Sequence, residues 1–374
     1  MGAPTVLIVG GGVAGVATAW FLVNRGVRGV LLLEREELLG THSSGRNAAI
    51  LRTPSPDPVT AALLLAGARW LADPPPGFCD RPLIDPCGLL LVPDPRADWA
   101  PSAEHGARRV SRRERERLAP HFRPPDGGPA WFLPAQGRLD VAALMEAFAR
   151  GARAGGASLR TGAEVEALLA GDGAVRGVRL AGGEELRADT TVLAAGGWAG
   201  ALGRRAGSEV RLTPTRRHLL VTAFPRGGPA VDPRWPVVWD DGWGFYARPE
   251  SGGLLLCACD QTEVDPDDCR ADPAVRETVA EKAARLLPDF AAAGAAHFWC
   301  GLRTFAADGR FAVGPDPALR GLFWVAGLGG HGMGASAAVG RLAAERLVGG
   351  PPRGALGRAL DPGRLVPARA GGRS

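Results

Sequence analysis

Gly10, Gly12 and Gly15, in the run Val6-Leu-Ile-Val-Gly10-Gly-Gly12-Val-Ala-Gly15, are spaced as a dinucleotide requires, with Glu34 following. Gly10 allows a tight turn, Gly12 lets the backbone approach a pyrophosphate, and Gly15 lets helix and strand pack closely. A carboxylate about 20 residues beyond the turn can accept both ribose hydroxyls and would repel a 2′-phosphate. A second glycine set, at 327, 329, 330, 332 and 334 with His331 among them, follows the apolar run Leu322–Ala326. Its free N–H groups suit an anionic ligand edge. Other chemistries lack their residues. The six cysteines show no CxxC pair or zinc spacing, so no metal site is expected. No Ser-His-Asp or paired-carboxylate pattern stands out either.

These residues need elements to hold them. The apolar run from Val6 predicts a buried strand, the stretch Val16 to Asn24 a helix, and Leu31-Leu-Leu a second strand ending at Glu34. The helix would aim its positive end at the phosphates. From Gly137 an amphipathic helix is expected to about Ala154, then strands near Ser158-Leu-Arg and Glu164 to Leu169. Hairpins are expected at Gly171-Asp172-Gly173 and Gly182-Gly183. Thr190 to Ala195 reads as a strand ending in small residues, which lets a ligand lie against the backbone. The C-terminal glycines read as a second strand–loop–helix, with its helix from about Ala335. The fold class is α/β, α+β overall, with an antiparallel meander interrupting a parallel sheet.

Composition excludes several partners. The net charge of +5 is small for 374 residues, and the basic cluster Arg108 to Arg117 alternates with acids, as on a solvated helix face. No nucleic acid is expected. No apolar run reaches the roughly 18 residues of a transmembrane segment. The first strand begins close to Met1 without a cationic leader, which sets the expectation of a cytoplasmic protein with reduced thiols.

Four ordered motifs carry a resemblance. They are the first glycine turn, the segment Gly40-Thr-His42-Ser43-Ser44-Gly45-Arg46-Asn47, the strand end Ala195-Gly196-Gly197-Trp198, and a C-terminal block from Trp299-Cys-Gly301-Leu-Arg303 to Gly329-Gly330-His331-Gly332-Met333. Together they resemble the D-amino-acid-oxidase-like FAD oxidoreductases, the group of glycine oxidase, sarcosine oxidase and D-arginine dehydrogenase. Asp73-Pro-Pro-Pro-Gly-Phe-Cys79 is similar to D-arginine dehydrogenase in particular. The resemblance implies a discontinuous Rossmann-like FAD-binding domain from residues 1–50, 137–206 and 299–374. A mixed-sheet substrate domain would take 80–136 and 207–298, with a helical connection at 51–79.

By the same resemblance, the first turn with Val13 and Ala14, and Glu34 with Arg35, would hold the adenosine and pyrophosphate. His42, Ser43, Ser44, Arg46 and Asn47 would line the flavin, and the Val165 backbone would meet the adenine. Ala195, Gly196, Trp198, Gly301, Gly329, Gly330, His331, Gly332 and Met333 would complete the cofactor site. Sarcosine oxidase attaches its flavin through a cysteine whose place falls near Gly301. Cys300 is one position off, so FAD is expected to be non-covalent.

The resemblance also supplies substrate anchors. Arg303 is similar to the arginine that clamps the substrate carboxylate, a task suited to its planar fork. Tyr246, the only tyrosine, would meet the same carboxylate, and Arg52 is similar to a second carboxylate-binding arginine. Arg217 is a weaker candidate, and His42 and His331 complete the catalytic set. The implied reaction is oxidative deamination of an amino acid. Hydride would pass from Cα to flavin N5, leaving an imine and then a 2-oxo acid. A 2-hydroxy acid or a biosynthetic intermediate is the alternative substrate, and a non-catalytic dinucleotide-binding protein a further reading. Where D-arginine dehydrogenase has polar groups for a guanidinium, this chain reads Ile50, Ser55 and Gly88, so a neutral or apolar substrate is expected. The electron acceptor is oxygen or a quinone or other carrier. The sole lysine, Lys282, falls on an outer helix away from the flavin motifs, which favours dehydrogenase over oxidase. The tail after Gly349 is expected to be loose.

Overall fold

A computed structural model describes residues 5–124, 128–223, 228–349 and 354–366. The strand Val6–Val9 is buried along its whole length and lies inside a six-stranded sheet. Its neighbours are Thr190–Leu193 and Val30–Leu33, both parallel, with Leu7 opposite Thr191 and Leu31. Ser158–Arg160 extends the sheet beyond Val30–Leu33, and Leu322–Ala326 extends it beyond Thr190–Leu193, both in parallel. Ala312–Pro315 closes the other edge antiparallel. Runs such as Val-Leu-Ile-Val suit a sheet covered on both faces. One face carries the helices Val13–Val23, Val141–Ala154 and Gly332–Gly349. The first and last of these helices pack closely through small residues: a Cβ on Gly340 would lie 2.8 Å from the Ala17 backbone.

The other face meets a three-stranded meander, Val165–Gly171, Ala174–Leu180 and Glu185–Arg187. Asp172 and Gly173 both have positive φ, the backbone a two-residue hairpin turn needs. The expected helix after Gly137 begins later. Gly137–Leu139 is a strand pairing with Ile50–Leu51 and Ile84–Asp85, and Asp140 caps the helix by accepting from the Ala143 N–H.

A nine-stranded mixed sheet forms the second layer system, built around Leu212–Thr222, Phe245–Glu250, Gly253–Cys257 and Val237–Asp240. Gly253–Cys257 is buried throughout, with its two faces against different partners. Leu220, Leu254 and Leu256 pack with Val279, Ala283 and Leu286 of the helix Pro273–Leu286. Leu219, Leu255, Cys257 and Tyr246 face Ala48 and Ile50 of the dinucleotide half. The strand Ala295–Ala306 pairs with Leu212–Thr222 from Thr222↔Ala295 to Leu212↔Ala306, so it runs through the boundary expected at 299.

The loose tail is corrected where it is described. Gly354–Ala359 is helical, Leu360 is fully buried, and Arg346 pairs with Asp361 at 2.6 Å. Residues 350–353 and 367–374 lie outside the described residues. Among the described residues no helix is long and apolar enough to cross a membrane.

Candidate active site

The parallel strands end at Val9, Leu33, Leu193 and Ala326, and their carboxyl ends border one cavity of about 470 Å³. Ligands of open α/β sheets bind at such strand ends. Gly10, at φ +109°, makes the first turn possible, since a Cβ there would lie 2.5 Å from the Ala194 carbonyl oxygen. A Cβ on Gly15 would approach the Gly10 oxygen to 2.0 Å, which fixes how closely helix and strand meet. Gly12 supplies no side-chain cap to the helix Val13–Val23. Ser44 Oγ instead accepts from the Val13 N–H at 2.9 Å, leaving its own hydroxyl proton for another acceptor. The Glu34 carboxylate accepts from the Gly11 N–H at 2.7 Å and from the Glu36 N–H at 2.9 Å. It is therefore oriented by backbone before any ligand arrives.

At the opposite end, Gly327, Gly329 and Gly330 have positive φ, and the Gly329 N–H donates to the Thr304 oxygen. Gly330 lies against the Arg303 side chain, where a Cβ would come within 3.0 Å. Gly332 and Met333, opening the helix Gly332–Gly349, line the same cavity as Gly12, Val13 and Ala14. Two helix N-termini thus border one cavity, with an acid fixed beside the first. That arrangement fits a dinucleotide carrying a second, electron-accepting ring system.

Most expected cofactor residues are on this wall. Besides those already named, Arg35, His42, Ser43 and Asn47 line it from the segment after the second strand, Val165 from the meander, and Ala195, Gly196 and Trp198 from the third strand end. Gly15 and Gly301 stand behind it as spacers; a Cβ on Gly301 would lie 2.6 Å from the Arg46 oxygen. Arg46 is exposed and borders a smaller side cavity of about 120 Å³. The residue contributing most that sequence reasoning missed is Asp267. It accepts from Trp198 Nε1 at 2.8 Å and pairs with Arg35 at 3.2 Å, while His42 Nε2 lies 2.8 Å from Glu36. No spacing pattern around Asp265-Pro-Asp267-Asp distinguishes it from an ordinary turn.

The substrate anchors gather beyond the second glycine loop. Arg303 is buried, lines the cavity and, among the described residues, donates only to the Leu302 carbonyl, at 2.8 Å. It pairs with no carboxylate among the described residues. Burial pushes its guanidinium below the ordinary value, and Arg217 nearby adds to this. Arg217 stands two residues along the neighbouring strand and on the same face, opposite Gly301. It donates to the Asp260 carbonyl at 2.6 Å and to Gln261 at 3.1 Å. Tyr246 is buried and stacks on Trp239 with ring centroids 4.3 Å apart. Burial and the neighbouring Cys257 and Cys259 thiols raise its hydroxyl well above its usual value, so it stays protonated and able to donate.

Arg52 is placed differently from its expected role. Its guanidinium is held bidentate by Asp241 at 2.8 and 2.9 Å and lies 4.6 Å from the Trp239 ring centre. His331 is half-buried behind the glycine loop, and burial together with Arg52 and Arg217 lowers it to about 4. Arg52, Tyr246 and His331 therefore sit near the cavity without forming its lining. The described residues contain no group of three or more His, Cys, Asp or Glu side chains able to hold a metal ion.

Comparisons with known proteins agree with this geometry. Residues 5–346 match the DAO family, FAD dependent oxidoreductase. The chain is 29% identical over 385 residues to the glycine oxidase of Pseudomonas aeruginosa PAO1, covering 97% of this chain and 98% of that one. It is 27% identical to human mitochondrial dimethylglycine dehydrogenase over 67% of this chain and 30% of that one. Its fold is similar to L-proline dehydrogenase from P. horikoshii, with a TM-score of 0.83 at 20% identity over 97% of both chains. It is also similar to iminodiacetate oxidase from Chelativorans sp. BNC1, with a TM-score of 0.77 at 24% identity over 94% and 98% of the two chains.

Proposed function

The chain belongs to the DAO family of FAD-dependent oxidoreductases, and on that basis we propose that it oxidises the Cα–N bond of an amino acid gripped by its carboxylate. FAD, when bound, accepts the hydride. The observation that carries the reading is Arg303, a buried cation on the cavity wall that lacks a carboxylate partner among the described residues. An unpaired buried charge is costly, and a substrate carboxylate would relieve that cost.

The chain's own residues then have separate tasks. Arg303 grips the carboxylate as a fork, Arg217 adds a second cation on the same face, and the protonated Tyr246 hydroxyl donates beside them. Gripping one end fixes where Cα lies, and alignment supplies much of the rate. Burial, with the positive charge of Arg52 and Arg217, holds His331 neutral, and the same surroundings disfavour an ammonium group nearby, which keeps the substrate amine in its reactive neutral form. The N-terminal end of the helix Gly332–Gly349 favours negative charge developing in the cavity.

We read the preferred side chain as neutral. Asp241 is already occupied by Arg52 and the Asp260 carboxylate by His218, and Ile50 packs with Tyr246 and Trp239. A cationic side chain would find no free carboxylate there. Lys282 is also engaged, donating to the Gly244 and Ala258 carbonyls at 3.0 and 2.8 Å. That supports a quinone or other carrier over oxygen as acceptor, and non-covalent FAD fits a Cys300 already in contact with Cys269. Anaerobic bleaching of the flavin band by a panel of D-amino acids, N-methyl amino acids, glycine and 2-hydroxy acids tests the proposal. Neutral amino acids are expected to bleach it. Bleaching by hydroxy acids alone, or by D-arginine first, would overturn the reaction or the side-chain preference respectively.

A further inference from the structure

Cys269 and Cys300 face each other with their sulfurs 3.1 Å apart. Cys300 is buried on the strand Ala295–Ala306, three residues before Arg303. Cys269 is half-buried and follows the short turn Pro266–Asp268. That turn belongs to a strap, residues 264–272, reaching from the nine-stranded sheet to the cofactor cavity. Asp267 ties the strap to Trp198 and Arg35 on the cavity wall, and Asp272 ties its far end to Arg216 at 2.7 Å. The side cavity of about 120 Å³ beside Cys269 is lined also by Arg35, His42, Arg46 and Asp267, and gives a small polar oxidant a route to the sulfur.

We infer that Cys269 and Cys300 are a peroxide-oxidisable dithiol whose disulfide staples the strap 264–272 over the FAD cavity. The chemistry balances with a hydroperoxide as oxidant. The Cys269 thiolate attacks one peroxide oxygen, the O–O bond breaks, and the leaving oxygen departs as hydroxide or alkoxide and takes up a proton. This leaves a sulfenic acid on Cys269. Cys300 sulfur then attacks Cys269 sulfur; the S–S bond forms, the S–O bond breaks, and water leaves carrying the Cys300 proton. With hydrogen peroxide, two thiols and one oxidant give one disulfide and two waters. The order of attack follows from the site. The sulfur contact with Cys300 holds the Cys269 thiol down to about 7, with Arg46, His218 and Arg216 also favouring the thiolate, whereas Cys300 is raised.

The experiment treats the FAD-loaded protein with one equivalent of hydrogen peroxide. It then counts thiols, maps cross-linked peptides by mass spectrometry and follows FAD release on dilution. Expected are the loss of two of the six thiols, a Cys269–Cys300 linked peptide, and FAD release slowed several-fold until dithiothreitol restores it. In Cys300→Ser, Cys269 is expected to accumulate as a sulfenic acid that dimedone traps. Six surviving thiols, a link through Cys257 or Cys259 instead, or no dimedone adduct would overturn the dithiol. Linked protein that releases FAD at the unlinked rate would overturn the staple.

Discussion

The two ends of the cavity are built on different principles. The end proposed for the adenosine is made by backbone: Gly10 and Gly15, which tolerate no Cβ, the first turn of a helix, and a Glu34 carboxylate held by two backbone N–H groups. The end proposed for the substrate is made by side chains brought from distant parts of the chain, with Arg303 and Arg217 on neighbouring strands of one sheet and Arg52 tied to Asp241. A backbone site is rigid and reads one shape. A site of crossed side chains is set by a few ion pairs and can be retuned by single substitutions.

Steric change at the backbone end should have the largest effect. Gly15→Val is expected to abolish FAD binding, because its Cβ would start 2.0 Å from the Gly10 oxygen. Gly12→Ala, whose Cβ meets only Ser44 Oγ at 3.3 Å within the protein, should leave the fold intact and weaken FAD binding, because the Cβ would stand where the pyrophosphate approaches the backbone. FAD content after gel filtration and the thermal midpoint of the apoprotein measure both, and an equal loss of stability in the two would undo the distinction. At the substrate end, Arg303→Met should keep FAD but remove the partner of a buried carboxylate. A loss of about 2–5 kcal/mol is expected, roughly thirty- to several-thousand-fold in kcat/KM. Rapid kinetics that found kcat/KM unchanged would remove the clamp.

The contrast also explains what was legible in the chain. The first glycine turn, its strands and Glu34 lie within thirty residues, and each follows from local propensity and spacing. The hairpin at Asp172-Gly173 was equally local. Arg303 and Tyr246 were found through resemblance, since an isolated arginine or tyrosine carries no periodic signal. The partners of Arg52 and Arg35 were not found. Arg52 meets Asp241 across 189 residues and Arg35 meets Asp267 across 232, and nothing in one sequence couples such distant charges.

Smaller effects sharpen the same comparison. Glu34→Gln keeps the shape but loses the charge, so FAD affinity should fall by about 1.5–3 kcal/mol, roughly ten- to a hundred-fold, as isothermal titration would show. Asp241→Asn leaves Arg52 without its counter-ion beside Trp239. An amino acid with an acidic side chain should then gain about tenfold in KM-limited rate, the size of a modest charge pair. If neutral substrates gain as much, Arg52 would belong to the carboxylate clamp and not to side-chain selection.

His331 is read through stability and not through catalysis. Burial and the nearby Arg52 and Arg217 lower its imidazole to about 4, below the value near 6.5 of an unfolded histidine. Between these two values the unfolded chain binds a proton that the folded chain refuses, so stability must rise with pH across that window. The contribution is complete above about 6.5 and gone below about 4. The slope from one such group cannot exceed about 1.4 kcal/mol per pH unit. Denaturant midpoints of wild type and His331→Gln at pH 5 and pH 7 isolate it. The wild type should lose more stability at pH 5 than the variant does. An equal loss would mean that the imidazole stays hydrated, and that the surroundings invoked to keep the substrate amine neutral act more weakly than the burial and the positions of Arg52 and Arg217 suggest.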